Sequence, residues 1–195
     1  MAIASAHLAA TFNREDFPLV DNYIYAICSD GDLMEGISYE SASLAGHLAL
    51  GNIIYLYDDN RITIEGSTDL AFTEDVTKRF EAAGWHVSTV EDGNDLEAIE
   101  AAIAEAQDIK DKPSLIRVKT IIGFGMPKQG TNKAHSDAPG EEAVKETKRN
   151  LHWPENKSFF IPKEVSAHFR EAIKNGARFE KEWNALVKDY TKAFP

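Results

Sequence analysis

Four short runs rich in β-forming residues, at 23–28 (YIYAIC), 52–57 (NIIYLY), 85–90 (WHVSTV) and 114–120 (SLIRVKT), are each separated from the next by a segment long enough to hold a helix. No other feature constrains the fold as much. Antiparallel strands can be joined by two residues, whereas parallel neighbours need a crossover of a dozen or more, usually a helix. The spacers read as helices. Residues 35–50 (EGISYESASLAGHLAL) carry small and apolar side chains at helical spacing, and Gly51 follows where a helix C-terminus favours glycine. Residues 73–83 end at Gly84. Residues 94–106 (NDLEAIEAAIAEA) are amphipathic, with acids early, where the helix dipole favours them. The expected class is α/β: a three-layer, doubly wound, mostly parallel sheet with helices on both faces.

The flanks are less regular. Residues 2–10 read as the end of a helix. Residues 123–140 hold Gly123, Gly125, Pro127, Gly130 and Pro139 without a period and read as a long loop. A loop of that length within a domain is usually functional or disordered. Past Lys157 comes Ile161-Pro162 and then a charged helix over 164–190, whose Phe169, Ile173, Phe179, Trp183 and Leu186 form an apolar stripe. The expected division is a domain over 1–157 and a helical tail over 158–195 leading towards another domain.

Composition excludes several roles. The 195 residues are 43% apolar, enough for a core, and carry a net charge of −11. An acidic chain without clustered Lys and Arg is unsuited to nucleic acid or to an anionic membrane surface. No apolar run approaches the roughly 20 residues of a membrane span. Residues 2–10 lack the basic leader of a signal peptide. Cys28 is the single cysteine, so no disulfide forms within the chain, and a reducing, cytoplasmic setting is expected. Nothing basic near Cys28 suggests an activated thiol, and it reads as a buried small residue.

In open α/β sheets ligands bind beyond the carboxyl ends of the strands. Two ends here are polar: Ser29-Asp30-Gly31-Asp32, read as a turn, and Asp58-Asp59-Asn60. If their strands are neighbours, both face one crevice. A carboxylate from one and an amide oxygen from the other are hard ligands suited to Mg²⁺ or Ca²⁺, with phosphate oxygens and a main-chain carbonyl completing the shell. Gly31 admits a phosphate close to the backbone, and the helix start near Glu35 favours an anion. Taken singly, Asp-Gly after a strand and Asp59-Asn60 are each most often only a turn. The spacing of an EF-hand loop is absent.

Longer stretches point further. SDGDLMEGISYESASLAGHLALGN, YDDNRITIEGSTD, RFEAAGWHV, KPSLIRVKTIIGFG and AHSDAPG occur in this order, preceded by FNREDFPLVDNY and followed by a tail with EWNALVKDY. Together they resemble the transketolases, thiamine-diphosphate enzymes whose cofactor motif opens with Gly-Asp-Gly and closes on a polar pair containing Asn. Here that motif runs from Asp30 to Asn60, and the resemblance covers essentially the whole chain. It implies that Asp30, the side chain of Asn60 and the main-chain oxygen of Ile62 ligate the metal. It implies that Gly31 and Asn60 contact the diphosphate, that Glu35 lies near the cofactor and a subunit interface, and that Ile64 and Ile122 pack on the cofactor rings. His135 matches a histidine that reaches cofactor and substrate and can act catalytically, moving protons and bonding developing oxyanions. The implied reaction moves a two-carbon ketol unit between sugar phosphates. Residues 1–157 would then be the diphosphate-and-metal half of the cofactor domain, working in a homodimer or with a complementary transketolase segment.

Blander readings stand beside these. Ile62 and Ile64 alternate as core residues do, Glu35 can simply stabilise a helix start, and a loop histidine is ordinarily surface. His7, His47, His86, His152 and His168 stay structural or surface residues. The chain also departs from the family. Ser29 replaces the first glycine of the motif. His135-Ser136-Asp137-Ala138-Pro139 carries one residue more than the usual His-Gly-Ala-Pro. Met1 falls at an internal methionine position, and both a long preceding region and a following domain are lacking, so a truncated chain of marginal stability or oligomeric habit is expected. Two other outcomes fit: a non-catalytic module that keeps the fold, and half of a related enzyme such as a dihydroxyacetone synthase.

Overall fold

The structure, a computed structural model, describes residues Met1–Pro195. Four parallel strands, β1 (Ile24–Ser29), β2 (Ile53–Asp59), β3 (His86–Val90) and β4 (Ser114–Lys119), form one sheet in the order β1-β2-β4-β3. Helix α1 (Ala2–Phe12) precedes it, and α2 (Asp30–Met34) and α3 (Gly36–His47) join β1 to β2. Helix α4 (Val76–Ala82) joins β2 to β3, and α5 (Leu96–Asp108) joins β3 to β4. The first two crossovers step one way across the sheet and the third steps back. Right-handed connection then requires α3 and α4 on one face and α5 on the other.

The two halves of the core show that arrangement. Ala42 and Ala45 of α3 and Val76 and Phe80 of α4 pack with Ile53, Tyr57 and Leu115. Ala102 and Ala106 of α5 pack with Ile54, Ile116 and Val118. Neighbouring residues of a strand thus point to opposite faces, as the pleat demands, and the sheet is the middle of three layers. The expected class is the observed one. Trp85 lies edge-on to Phe80, and its indole N–H donates to the Ala42 carbonyl at 2.8 Å, tying β3 to α3.

Several local expectations are corrected. The polar run after β1 is a helix, not a turn: the Ser29 N–H and hydroxyl both donate to Asp32 Oδ2, at 2.8 and 3.0 Å, which starts α2 at Asp30. The next helix stops at His47, and Ala49 rather than Gly51 takes the left-handed conformation, at φ 51°. Gly51 is required elsewhere, since a Cβ there would lie 2.0 Å from the Lys110 carbonyl oxygen. The loop over 123–140 contains a helical turn, α6 (Lys133–Ser136), and α7 (Glu141–Asn150) follows where no element was expected. Helix α8 (Lys163–Ala193) extends a little beyond its expected ends.

The chain divides into two compact units, one of Met1–Ile3 with Asn22–Glu155, the other of Ala4–Asp21 with Asn156–Pro195. The sheet lies wholly in the first. The second is held by Phe17 against Tyr190 and Phe194, with ring centroids 5.7 and 5.8 Å apart, and by the Trp183 indole donating to the Leu19 carbonyl at 3.0 Å. Phe169, Ile173, Phe179 and Trp183 of the α8 stripe are exposed. No helix is long and apolar enough to cross a membrane.

Leu115 is fully buried at the centre of β4, whereas Ile27 on edge strand β1 is 82% exposed. Leu115→Ala is expected to lower unfolding free energy by about 2–5 kcal/mol and Ile27→Ala by no more than about 0.5 kcal/mol, read from urea denaturation. Asp75 caps α4 by accepting from the Lys78 N–H at 3.2 Å, and the Thr77 hydroxyl and Lys78 ammonium hold its carboxyl far below the ordinary value of 3.8. A depressed carboxyl contributes stability that is complete above the unfolded-state value and fades as pH falls towards the folded one. The melting-temperature gap between wild type and Asp75→Ala should therefore be constant down to about pH 4 and narrow below it.

Candidate functional site

Strands β1 and β2 pair in parallel, with Ser29 opposite Asp58, so their polar ends lie together. Asp30 begins α2 directly after β1 and is only 2% exposed. Its Oδ1 accepts from the Tyr57 hydroxyl at 2.5 Å, and its Oδ2 accepts from the Arg61 main-chain N–H at 3.0 Å. Burial pushes the Asp30 carboxyl above the usual range; those two donors oppose the rise, and Asp59 and Asp58 add to it. Burial, with the Asp30 carboxylate beside it, pushes the Tyr57 phenol upward as well, so it remains a donor. Cys28, behind them, is raised by burial and by Asp32, Asp30 and Asp58 to about 12, which makes it an inert thiol.

The turn after β2 is built to present oxygen and nitrogen atoms. Arg61 sits in the left-handed region at φ 59°, a conformation that costs a non-glycine residue on the order of 1 kcal/mol. It turns its N–H towards Asp30. Asn60 Oδ1 accepts from the Ile62 N–H at 2.9 Å, and Asn60 Nδ2 donates to Asp58 Oδ2 at 3.2 Å. The Thr120 hydroxyl, just past β4, donates to the other Asp58 oxygen. Asp58 therefore fixes the amide of Asn60 from behind. The strand alternation separates these side chains, with Tyr57 and Asp59 on one face and Asp58 on the other.

Gly31, Glu35, Asn60, Ile62, Ile64, Ile122 and His135 all line one open cleft of about 820 Å³ at the carboxyl ends of β1, β2 and β4. Seven residues from four separate segments thus converge. Asp30 does not line it; with Tyr57, Asp59, Arg61 and Arg117 it borders a smaller polar cavity of about 330 Å³. Ile64 is 62% exposed, so packing within this chain does not account for it, while Ile62 is half-buried. His135 lies on α6, which the Asn132 amide ties back by donating to the Ile64 carbonyl at 3.4 Å. Glu35 stands between α2 and α3, and its side chain caps neither.

The donor set suits a hard dication with a diphosphate. Such a dication takes oxygen ligands, and the chain offers one carboxylate, one amide oxygen and main-chain carbonyls at these strand ends, with phosphate able to supply the rest. Each of those oxygens has a second lone pair beyond the bonds it makes now. A Cβ at Gly31 would meet nothing nearer than Ser29 Oγ at 3.9 Å. No packing inside the chain demands glycine there, which leaves room for an external group against the backbone. Ser29 turns its hydroxyl onto Asp32.

Sequence reasoning passed over Tyr57, Arg61 and Arg117, and read Asp58 and Asp59 only as part of a polar strand end facing the crevice. Arg117 pairs with Asp59, its Nε 2.6 Å from Oδ2, and Asp59 is 6% exposed. The one available signal was an arginine within an otherwise apolar strand, opposite a strand that ends in acids.

The family model described as "Transketolase, thiamine diphosphate binding domain" matches residues 1–195. A transketolase of Nostoc sp. is 53% identical over the whole chain, which spans 29% of that relative, and one of Bacillus subtilis is 51% identical, with 30% of its length spanned. Among solved structures, Pichia stipitis transketolase in complex with sedoheptulose 7-phosphate superposes over the whole chain with a TM-score of 0.96 at 45% identity, again over 29% of its length. Transketolase from Leishmania mexicana gives 0.96 at 46%. The chain spans less than a third of the relatives it matches, and within that span it belongs to the transketolase family as its thiamine diphosphate binding domain.

Proposed function

We propose that this chain forms the diphosphate-and-metal half of a transketolase-type site that transfers a two-carbon ketol unit between sugar phosphates. The convergence of Gly31, Glu35, Asn60, Ile62, Ile64, Ile122 and His135 on one cleft carries the reading. Asp30, Asn60 Oδ1 and the Ile62 carbonyl would hold Mg²⁺ or Ca²⁺, and the metal would offset the cost of burying Asp30. Gly31 and Asn60 would border the diphosphate, and exposed Ile64 with Ile122 would cover the rings and exclude water. Bound thiamine diphosphate supplies a carbon nucleophile and a sink for the electron pair left on bond cleavage. His135, exposed on its short helix, is placed to move a proton and to donate to a developing oxyanion.

The sugar-phosphate assignment rests on relatives: Pichia stipitis transketolase has been crystallised with fructose 6-phosphate and with sedoheptulose 7-phosphate. Glu35, Ile64 and His135 line the cleft and are exposed, which supports completion of the site by further polypeptide, as a homodimer or a complementary segment. We assign residues 158–195, with their exposed apolar stripe, a linking role towards that remainder.

Calorimetric titration tests the half-site. Thiamine diphosphate should bind the chain only with Mg²⁺, and Asp30→Ala should weaken binding at least tenfold, about 1.4 kcal/mol. A folded wild-type chain that ignores millimolar cofactor sinks the proposal. A second titration separates the ring contacts: Ile64→Ser should cost thiamine diphosphate roughly tenfold through lost apolar contact, yet leave Mg²⁺-dependent binding of inorganic pyrophosphate unchanged.

A further inference from the structure

Asp30 is the one member of the proposed ligand set that does not open on the cleft, and the side chains around it explain how a buried carboxylate is held ready. Tyr57 lies on the Asp59 face of β2, and its hydroxyl meets Asp30 Oδ1 at 2.5 Å and Asp59 Oδ1 at 3.4 Å. A phenol has one proton to donate, and the shorter contact assigns it to Asp30. Asp59 is in turn fixed by Arg117, which stands opposite Tyr57 in the β2–β4 register and reaches Asp59 with both Nε and Nη2. Tyr57 is 2% exposed and packed among apolar core residues, which restrains its ring. A carboxylate that must ligate a metal needs its orientation set beforehand, and partners behind the ligand do this.

Resting on the half-site reading above, we infer that Tyr57 is a positioning residue for the metal site: its hydroxyl, braced by the Asp59–Arg117 pair, holds the Asp30 carboxylate in the orientation that receives the cation. Tyr57 touches neither cofactor nor substrate and acts through Asp30 alone. The Arg61 main-chain N–H fixes the other carboxylate oxygen, so loss of Tyr57 leaves Asp30 tethered at one point only. The sequence between Asp30 and Asn60 thereby carries a positioning residue as well as ligands.

The test is Tyr57→Phe, which removes one oxygen from an otherwise retained ring. Mn²⁺ affinity of the full chain in the presence of thiamine diphosphate is read by electron paramagnetic resonance, beside the melting temperature of the metal-free chain. The expected result is a loss of Mn²⁺ affinity between about tenfold and a hundredfold with the metal-free melting temperature within a few degrees of wild type. Unchanged Mn²⁺ affinity in the variant, with wild type binding normally, overturns the inference and leaves the half-site intact. A variant that no longer folds, or that loses stability in proportion to metal affinity, assigns the hydroxyl to the fold and overturns it equally. Wild type that binds no Mn²⁺ with the cofactor defeats the half-site reading first, and the inference with it.

Discussion

Parallel pairing of β1 with β2, with Ser29 opposite Asp58, is the constraint from which the site follows. Parallel neighbours end on the same edge of a sheet, so the polar tails of both strands are delivered to one place without further instruction. The register decides the rest. A slip of one residue would turn every side chain of β2 to the other face, carrying Tyr57 and Asp59 out of the core. The apolar residues of β2 hold it against that slip: Ile53 and Tyr57 belong to the layer under α3 and α4, and Ile54 to the layer under α5. Core packing and site geometry are therefore one specification.

The two-residue period of a strand then divides labour along 57–60. Tyr57 and Asp59 face inward and meet Arg117 from β4, forming a buried polar network around Asp30. Asp58 faces the cleft with Asn60, whose amide it orients. Consecutive residues thus serve alternately as support and as lining. Three acids close together would repel if exposed on one surface; here Arg117 neutralises Asp59, and Thr120 and Asn60 donate to Asp58. Asp30 receives only neutral donors. It is the buried acid left without a cation, and burial pushes its carboxyl upward.

The sheet was legible because it depends on patterns that short-range physics writes plainly: β-rich runs, helix-length spacers and punctuating glycines. The residues lining the cleft were legible through family resemblance, since a lone Asp-Gly or Asp-Asn is ordinarily a turn. Elements set by side-chain bonding were not legible. Helix α2 begins at Asp30 because Ser29 donates twice to Asp32, and α7 is almost wholly charged and polar, with only Ala143 and Val144 to hint at an apolar face. Gly51 looked like a cap but is a point of close approach to Lys110, and no local pattern announces an approach from some sixty residues away. Tyr57 and Arg117 read as ordinary strand residues until register brings them opposite one another.

The energetics of the site run against those of the fold. Asp30 is buried beside two other carboxylates, Arg61 occupies a left-handed conformation that costs on the order of 1 kcal/mol, and Ile64 is held out of the core. None of these choices stabilises the chain by itself, and each departs from what local propensity favours. On the proposed reading all three would become favourable with a dication and a diphosphate-linked ring system in the cleft: the metal would offset the buried charge, the left-handed turn would aim donors and acceptors, and the exposed isoleucine would gain an apolar surface to cover. All three lie at or just beyond the carboxyl ends of β1 and β2, the edge at which the proposed ligand would sit.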